Sequence, residues 1–234
     1  MKVLIVDLET TGFDPVSSKA IEIGAILFDC ATHTVLEQIS SLIPCNSNKA
    51  QNVNQIAPEA SMQSIVYLGA ITHLEEMAAI ADYITAWNSS FDSKWFGHPN
   101  QELPALDKPW FDAMGVNYAR SSNSKKLIDV ALAHGIPVIS AHRALTDCSL
   151  VAELFRRHRN IEQLILDAIA REGEPKVLVI AEIAYEDRQK AKDKQFTWNK
   201  LISNQWAKWV RASEIDSLGF PVHIVDDGGQ ANAA

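Results

Sequence analysis

Residues 3–12 read VLIVDLETTG, an apolar run that stops at two acids. The run Val3–Val6 holds four apolar residues, three of them β-branched, and predicts a buried strand. Because side chains alternate along a strand, Asp7 and Glu9 project from the same face while Leu8 points into the core. Two neighbouring carboxylates repel each other unless a cation lies between them. Taken alone, such a pair is also typical of an exposed strand end with ordinary surface acids.

The elements around this strand predict the fold class. Strands at Ala20–Phe28 and Val35–Ile43 are joined by a short polar turn, which indicates an antiparallel start to the sheet. The chain then changes to strand–helix units, with a strand at Tyr83–Trp87 and helices at Leu74–Ala81, Lys125–His134 and Ala144–His158. A sheet that starts antiparallel and continues in this way is a mixed α/β sandwich.

A second candidate segment, residues 86–92, reads AWNSSFD. Apolar residues lead into Asn88, and Ser89 or Ser90 is expected to cap the helix that follows. Asp92 would lie in the first turn of that helix. An acid in this position often only complements the helix dipole, so the segment alone does not indicate a site.

A third segment, residues 142–147, reads HRALTD. If both ends were helical, His142 would be turned about 140° away from Asp147 around the helix axis. We therefore expect His142 on the loop before the helix, free to reach a site that Asp147 faces. A neutral imidazole near a cation can accept a proton from water. The alternative is a helix N-terminal acid beside a solvent-facing histidine.

Together the patterns D-x-E-T-T-G, N-x-x-F-D and H-x-A-x-x-D resemble the DEDDh branch of the 3′–5′ exonuclease superfamily, which includes proofreading exonucleases and oligoribonuclease. The resemblance covers roughly residues 2–158 and implies a ribonuclease H-like fold with a mixed five-stranded sheet. It also implies roles for the acids and the histidine: His142 as general base, Asp7, Glu9 and Asp147 as direct metal ligands, and Asp92 as a ligand in the inner or the next coordination sphere. Asp112 falls where the family often has an acid, and we interpret it as structural.

The mechanism that this resemblance implies is hydrolysis assisted by two divalent cations, Mg²⁺ or Mn²⁺, about 3.5–4 Å apart. Asp7 would bridge them, and the turn after Glu9 would receive the last sugar with its 3′-hydroxyl. The enzyme would then release nucleoside 5′-monophosphates from the 3′ end of a nucleic acid, with single-stranded DNA as the expected substrate. The candidate substrate-binding residues are Thr10, Thr11, Gly12, Ile56, Asn88 and Phe91.

Two departures from the family pattern concern the substrate. Asn54 stands where the family often has a histidine, although Ile56 could still stack on the terminal base. Trp87 stands where a histidine is common in the second motif. Two alternatives therefore stay open beside the exonuclease: an exoribonuclease that trims RNA, and a catalytically silent subunit that binds nucleic acid or a polymerase. Because all five positions of the motif are filled, the sequence favours the enzyme.

The bulk composition of the 234 residues agrees with a globular protein. The net charge of −8 argues against a generally basic coat, but a metal-dependent nuclease concentrates acids at its site. Three cysteines without a C-x-x-C pair indicate neither a disulfide framework nor a zinc site. The first apolar run is too short for a signal peptide or a membrane span. We expect a cytoplasmic protein without a membrane partner; a DNA polymerase or repair protein is a candidate partner.

A second, smaller domain is predicted after the sequence EGEP at residues 172–175, because glycine and proline this close together end a helix. The expected divisions are residues 1–173 for the exonuclease domain, 174–226 for a small α+β module and 227–234 for a disordered tail. The module has strand candidates at Val177–Ala181 and Phe220–Val225 and a helix candidate at Glu186–Lys194.

Residues 188–211 of this module contain seven cations and one acid together with Phe196, Trp198, Trp206 and Trp209. Aromatic rings among cations are what single-strand binding uses, the rings for bases and the charges for phosphates. A module of this size also needs large aromatic residues to form a core, with lysines solvating its surface. Both interpretations stay open. The segment is similar to a small β-rich module appended to several DNA-metabolism proteins.

Overall fold

The computed structural model describes residues 1–118, 124–138 and 142–225. The chain divides into two compact units, Met1–Ile169 and Ala170–Ala234. This division falls four residues before the predicted boundary at residue 173. The predicted tail, 227–234, lies outside the described residues. Along the described part of the chain, no helix is both long and apolar enough to cross a membrane.

The first unit is built around one mixed sheet. Among its described residues the strands are β1 (Lys2–Thr10), β2 (Ala20–Asp29), β3 (Thr34–Leu42), β4 (Tyr83–Ala86) and β5 (Trp110–Asp112). Their order is β3-β2-β1-β4-β5, in which β1, β2 and β3 pair antiparallel and β4 and β5 continue parallel to β1. The predicted mixed α/β fold with a five-stranded sheet is therefore confirmed.

Helices flank this sheet in the order of the chain. They are α1 (Gln51–Asn54), α2 (Pro58–Ser61), α3 (Tyr67–Ile80), α4 (Ser89–Asp92), α5 (Leu127–Ala133), α6 (Ala144–Arg157) and α7 (Ile161–Gly173). The helix predicted from Leu74 begins seven residues earlier, at Tyr67. The helices predicted at 125–134 and 144–158 are present with slightly shorter bounds, as α5 and α6.

The two faces of the sheet carry separate cores. Val3 and Ile5 of β1 pack into a cluster with residues of α5, α6 and α7. Leu4 and Val6 point the other way, into a cluster with residues of α3. Since the alternation continues along β1, Asp7 and Glu9 lie on the face that α6 covers. The apolar pattern of β1 thus decides which helix meets the two acids.

The second unit contains a four-stranded antiparallel sheet. Its described elements are β6 (Lys176–Ala181), α8 (Arg188–Asp193), β7 (Thr197–Trp198), β8 (Trp206–Arg211) and β9 (Val222–Val225). The strand order is β7-β8-β6-β9. Val179, Phe196 and Val210 form the centre of its small core. The strands predicted at 177–181 and 220–225 are present, whereas β7 and β8 were not predicted.

Candidate active site

The start of α6 lies directly on the sheet beside Asp7. Gly24 of β2 is the residue opposite Asp7 in the antiparallel pair. A Cβ atom on Gly24 would lie 2.3 Å from the backbone N of Leu145 and 2.4 Å from the carbonyl carbon of Ala144. Any larger residue would collide with the α6 backbone, so this glycine permits the close approach of helix and sheet. That approach places Asp147, in the first turn of α6, next to the acids of β1.

Three of the predicted metal ligands come together here. Asp7, Glu9 and Asp147 each offer a carboxylate oxygen, and these oxygens all lie within 4.8 Å of one another. Glu9 and Asp147 come from different elements, a strand and a helix, that meet because of Gly24. The cluster has the oxygen ligands that a hard divalent cation prefers.

Asp92 lies beside this cluster at the end of α4. Its side chain is 3% exposed, and the backbone N–H of Leu8 donates a hydrogen bond to its carboxylate. The residue that caps α4 is Asn88, so the expected cap at Ser89 or Ser90 was wrong. Asn88 adopts the left-handed conformation (φ 71°), which asparagine tolerates better than most residues.

Asp112 ties the strand end that precedes α4 to the neighbouring strand. Its Oδ1 accepts hydrogen bonds from the backbone N–H of Asn88 at 2.9 Å and of Met114 at 3.0 Å. The carboxylate therefore fixes the backbone between β4, β5 and α4. This arrangement agrees with the structural interpretation of Asp112.

Burial, and to a smaller extent the charges of neighbouring acids, disfavours ionisation of the four carboxyl groups. Burial raises the pKa of Asp7 well above its usual range, and the charge of Asp92 adds the largest further rise. Burial also raises the pKa of Glu9 to about 7, of Asp92 to about 8 and of Asp147 to about 6. Clustered carboxylates that resist ionisation gain most from a bound cation, since the cation removes the repulsion. The four side chains therefore fit a divalent metal site.

His142 lies immediately before α6, as predicted. It is exposed and adopts a left-handed backbone conformation, with φ 60°. Its backbone N–H donates to the Asp147 carboxylate, and the nearby imidazole also lowers the pKa of that acid. His142 is thus near the acidic cluster and open to solvent.

One charged pair at this site was not predicted. Glu22 of β2 is the residue opposite Glu9, and its side chain is 1% exposed. Its carboxylate accepts hydrogen bonds from the Arg143 guanidinium, at 2.7 Å from Nη2 and 3.1 Å from Nε, and from the Ala144 N–H at 3.2 Å. Arg143 also lowers the pKa of Glu9. The ion pair therefore fixes Arg143, which lies between His142 and α6, against β2.

The turn after Glu9 is ordered by its own contacts. Thr10 Oγ1 donates to the carbonyl of Gly12 at 2.7 Å, and Thr11 is 8% exposed, with its Oγ1 accepting from the Lys19 N–H. A Cβ on Gly12 would lie 2.4 Å from Ser18 Oγ. A side chain at position 12 would therefore displace Ser18 Oγ, and the place of Gly12 in the substrate site stays a prediction.

The prediction that Ile56 stacks on the terminal base was wrong for this structure. Its side chain is 3% exposed and packs in a small core with Ile21 and Cys45. Asn54, in the position where the family often has histidine, is buried too. Its Nδ2 donates to the Thr10 carbonyl at 3.2 Å. Asn54 thus stabilises the turn that the candidate site needs.

Aromatic and cationic side chains border the same turn. Phe13, which directly follows Gly12, is 86% exposed and was not predicted. Lys94 Nζ donates to the Phe13 carbonyl at 2.5 Å and lies 4.7 Å from the centre of the Phe91 ring. Phe91 also packs on Trp95 at 5.9 Å. A large aromatic residue at a polar turn beside a carboxylate pair is the feature of the sequence that could have drawn attention to Phe13.

Comparisons with solved structures identify the fold. The chain is similar to exonuclease X in complex with 5′ overhanging duplex DNA, with 20% identity over 71% of this chain and 98% of that chain and a TM-score of 0.54. It is also similar to the E. coli exonuclease I–ssDNA complex, with 14% identity over 94% and 68% of the two chains and a TM-score of 0.62. The nuclease domain of 3′hExo, described as a DEDDh family member bound to rAMP, matches with 15% identity over 67% and 90% and a TM-score of 0.54.

The chain thus has the fold of these exonucleases, as the resemblance of its sequence motifs implied. A family model, a domain of unknown function (DUF8626), matches residues 177–225 in the second unit. No curated protein sequence matches the chain.

Proposed function

We propose that the protein is a metal-dependent 3′–5′ exonuclease that hydrolyses single-stranded nucleic acid and releases nucleoside 5′-monophosphates. The observation that carries this proposal is the convergence of Asp7, Glu9 and Asp147 within 4.8 Å, with His142 at the adjacent helix start. Asp92 completes the set of four acids. The fold of the exonucleases named above supports the same chemistry.

Two divalent cations, Mg²⁺ or Mn²⁺, would be held by the four carboxylates, and they would supply an activated water and neutralise the charge of the scissile phosphate. The acids would bind and orient these ions. His142, which is exposed beside Asp147, would accept the proton from the attacking water. Arg143 and Glu22 hold the backbone that carries this histidine.

The 3′ end of the nucleic acid would bind at the turn that follows β1. Exposed Phe13 offers a ring face for the terminal base, and base–aromatic stacking is tolerant of sequence. The Lys94 ammonium, near Phe13 and Phe91, would contact a phosphate. These two side chains replace Ile56 as the proposed contacts to the last nucleotide. We expect DNA to be the preferred substrate, with RNA as the competing one.

The test is degradation of single-stranded DNA and RNA oligonucleotides labelled at either end, with Mg²⁺, Mn²⁺ or a chelator. We expect stepwise shortening from a free 3′ end, with nucleoside 5′-monophosphates as products and no turnover in chelator. Asp147→Asn, which keeps the side-chain shape, should fold normally and remove turnover. Cleavage of a circular single strand, or full activity in chelator, would contradict the proposal. A folded protein that binds but never cleaves would identify the silent subunit instead.

A further inference from the structure

The hairpin of β7 and β8 in the second unit presents an aromatic pair at its edge. Trp198 and Trp206 are directly opposite each other in the antiparallel pair, with ring centres 5.5 Å apart at 54°. Trp206 is partly buried and packs on the small core around Val179 and Val210. Trp198 is 52% exposed. Trp206 therefore packs against a second indole that is half exposed to solvent.

The loop that closes this hairpin is held by hydrogen bonds of its own. The backbone N–H of Asn199 donates to the Gln205 carbonyl at 3.0 Å, and the Asn204 N–H donates to Asn199 Oδ1 at 2.8 Å. Asn199 and Asn204 are both left-handed, with φ 52° and 56°. Such closed turns fix the strands that carry the two indoles. Ordering of these strands would therefore add little entropic cost when a ligand binds.

Cations outnumber acids around this hairpin. Residues 194–213 contain four cations, Lys194, Lys200, Lys208 and Arg211, and no acid, while Asp193 and Glu214 flank them and Glu214 pairs with Arg211 at 3.4 Å. Lys200 is exposed two residues after Trp198. Lys208 Nζ donates to the Lys194 carbonyl at 2.8 Å, and Lys194 Nζ donates to the Ser217 carbonyl at 2.7 Å. This local charge contrasts with the −8 of the whole chain and matches a polyanion.

We infer that the β7–β8 hairpin is a binding site for single-stranded nucleic acid, with Trp198 stacking on a base and Lys200 contacting the backbone phosphates. An exposed, supported indole beside cations is the combination that single-strand binding uses. This inference deepens the proposed exonuclease function and rests on it for the identity of the ligand. The matching family model has no assigned function for the same residues.

The module also supplies its own control. Trp209 is 42% exposed, a fraction near that of Trp198. It lies three residues after Trp206 on β8 and opposite Leu178 of β6, so its side chain leaves the other face of the sheet. Trp209→Ala therefore removes an equally exposed indole from the same module without touching the aromatic pair.

The experiment is fluorescence anisotropy with the full chain and labelled oligothymidylate or oligouridylate, in chelator so that no turnover occurs. We expect Trp198→Ala to weaken binding at least about fivefold, the lower end for a base–aromatic stack, and Trp209→Ala to leave it unchanged. Lys200→Gln should reduce the slope of log affinity against log salt by about 0.7, the value for one phosphate contact with a single strand. Comparing the two oligonucleotides distinguishes DNA from RNA.

Trp198→Phe is included because it keeps an aromatic ring, and thermal melts check the fold of every variant. Equal affinities for the two alanine variants, together with an unchanged salt slope for Lys200→Gln, would overturn the inference. Cleavage in Mg²⁺ is scored separately. If Trp198→Ala binds the oligonucleotides as tightly as the wild type while the wild type cleaves them, only the hairpin site is refuted. If Trp198→Ala weakens binding but the wild type never cleaves, only the exonuclease function is refuted.

Discussion

The guanidinium of Arg143 donates two hydrogen bonds to the almost fully buried carboxylate of Glu22, at 2.7 and 3.1 Å. Glu22 accepts a further bond from the backbone N–H of Ala144, the first residue of α6. Arg143 follows His142 and caps the helix that carries Asp147. The pair therefore links the second strand of the sheet to both the proposed general base and a proposed metal ligand.

Removing one partner should cost more than removing both. Arg143→Ala would leave the Glu22 carboxylate buried without its counter-charge, and we expect a loss of about 1–3 kcal/mol in the free energy of unfolding, below the cost for a fully buried pair because half of Arg143 is exposed. Adding Glu22→Gln should restore part of that loss. Urea unfolding of the two single variants and the double variant measures this coupling. Strictly additive losses would show that the pair does not interact.

The Arg143–Glu22 pair should also affect catalysis, because it positions the start of α6. Arg143→Lys keeps a positive charge but cannot donate the paired guanidinium bonds, so we expect kcat to fall while KM changes little. Metal affinity, measured by calorimetry with Mn²⁺, should weaken because Asp147 shifts with the start of α6. A change in KM alone would indicate that Arg143 contacts the substrate instead.

Gly24→Ala should disable the site without touching an acid. The new methyl group would meet the backbone of Ala144 and Leu145 below 3 Å, so α6 must move away from β2 and carry Asp147 with it. We expect weaker metal binding and a fall in kcat of about 10²-fold or more, as misplacement by about 1 Å can cause. Gly69→Ala, in α3, meets nothing within 4 Å and is the matched control. Similar activity of both variants would contradict the proposed role of the contact.

His142→Asn tests the proposed general base while preserving the backbone conformation. Asparagine tolerates the left-handed conformation that His142 adopts, whereas alanine would add strain. We expect kcat to fall by about 10²–10⁴-fold, the usual contribution of a general base, with Mn²⁺ affinity near normal. If affinity for Mn²⁺ collapsed together with the rate, His142 would be a metal ligand. An unchanged rate would exclude it from the mechanism.

The positions of the motif acids could be predicted because they lie at the ends of elements with a strong apolar pattern. The apolar run before Asp7 predicts the strand and its alternation, and the periodicity of residues 144–158 predicts α6 with Asp147 near its start. What the sequence could not provide is the distance between these elements. That distance depends on Gly24, a single small residue in a largely apolar strand.

The residues that were missed or wrongly assigned depend on tertiary contacts. Glu22 lies in the middle of a buried strand, and its partner Arg143 is 121 residues away. Ile56 was assigned by likeness to a motif, but its side chain packs on Ile21 rather than facing solvent. In β8, lysine between two tryptophans obscures the alternation of a half-buried strand, and the two-residue β7 is recognisable only from its pairing.

The crowded acids should make the metal-free protein less stable as the pH rises. Burial raises the pKa of Asp92 to about 8, so the folded state binds more protons than the unfolded state between its usual value of 3.8 and that pH. The free energy of unfolding therefore falls as the pH increases through this window. Asp92→Asn keeps the size and still accepts the Leu8 N–H, but it never becomes charged. In chelator we expect this variant to melt at a higher temperature than the wild type at pH 8, and by a clearly smaller margin at pH 5, since the window closes only at 3.8.

Saturating Mg²⁺ should reverse the order at pH 8, because the cation stabilises the four carboxylates and the asparagine variant lacks one of them. Asp216→Asn, at an exposed position of the second unit, controls for the general effect of removing a charge and should change the melting temperature equally at both pH values. Differential scanning calorimetry of the three proteins, with Mg²⁺ and with chelator, measures all of these differences. An Asp92→Asn protein that is less stable than the wild type in chelator at pH 8 would mean that this carboxylate is stabilised by its hydrogen bonds, and that the acidic cluster stores no repulsion for a cation to relieve.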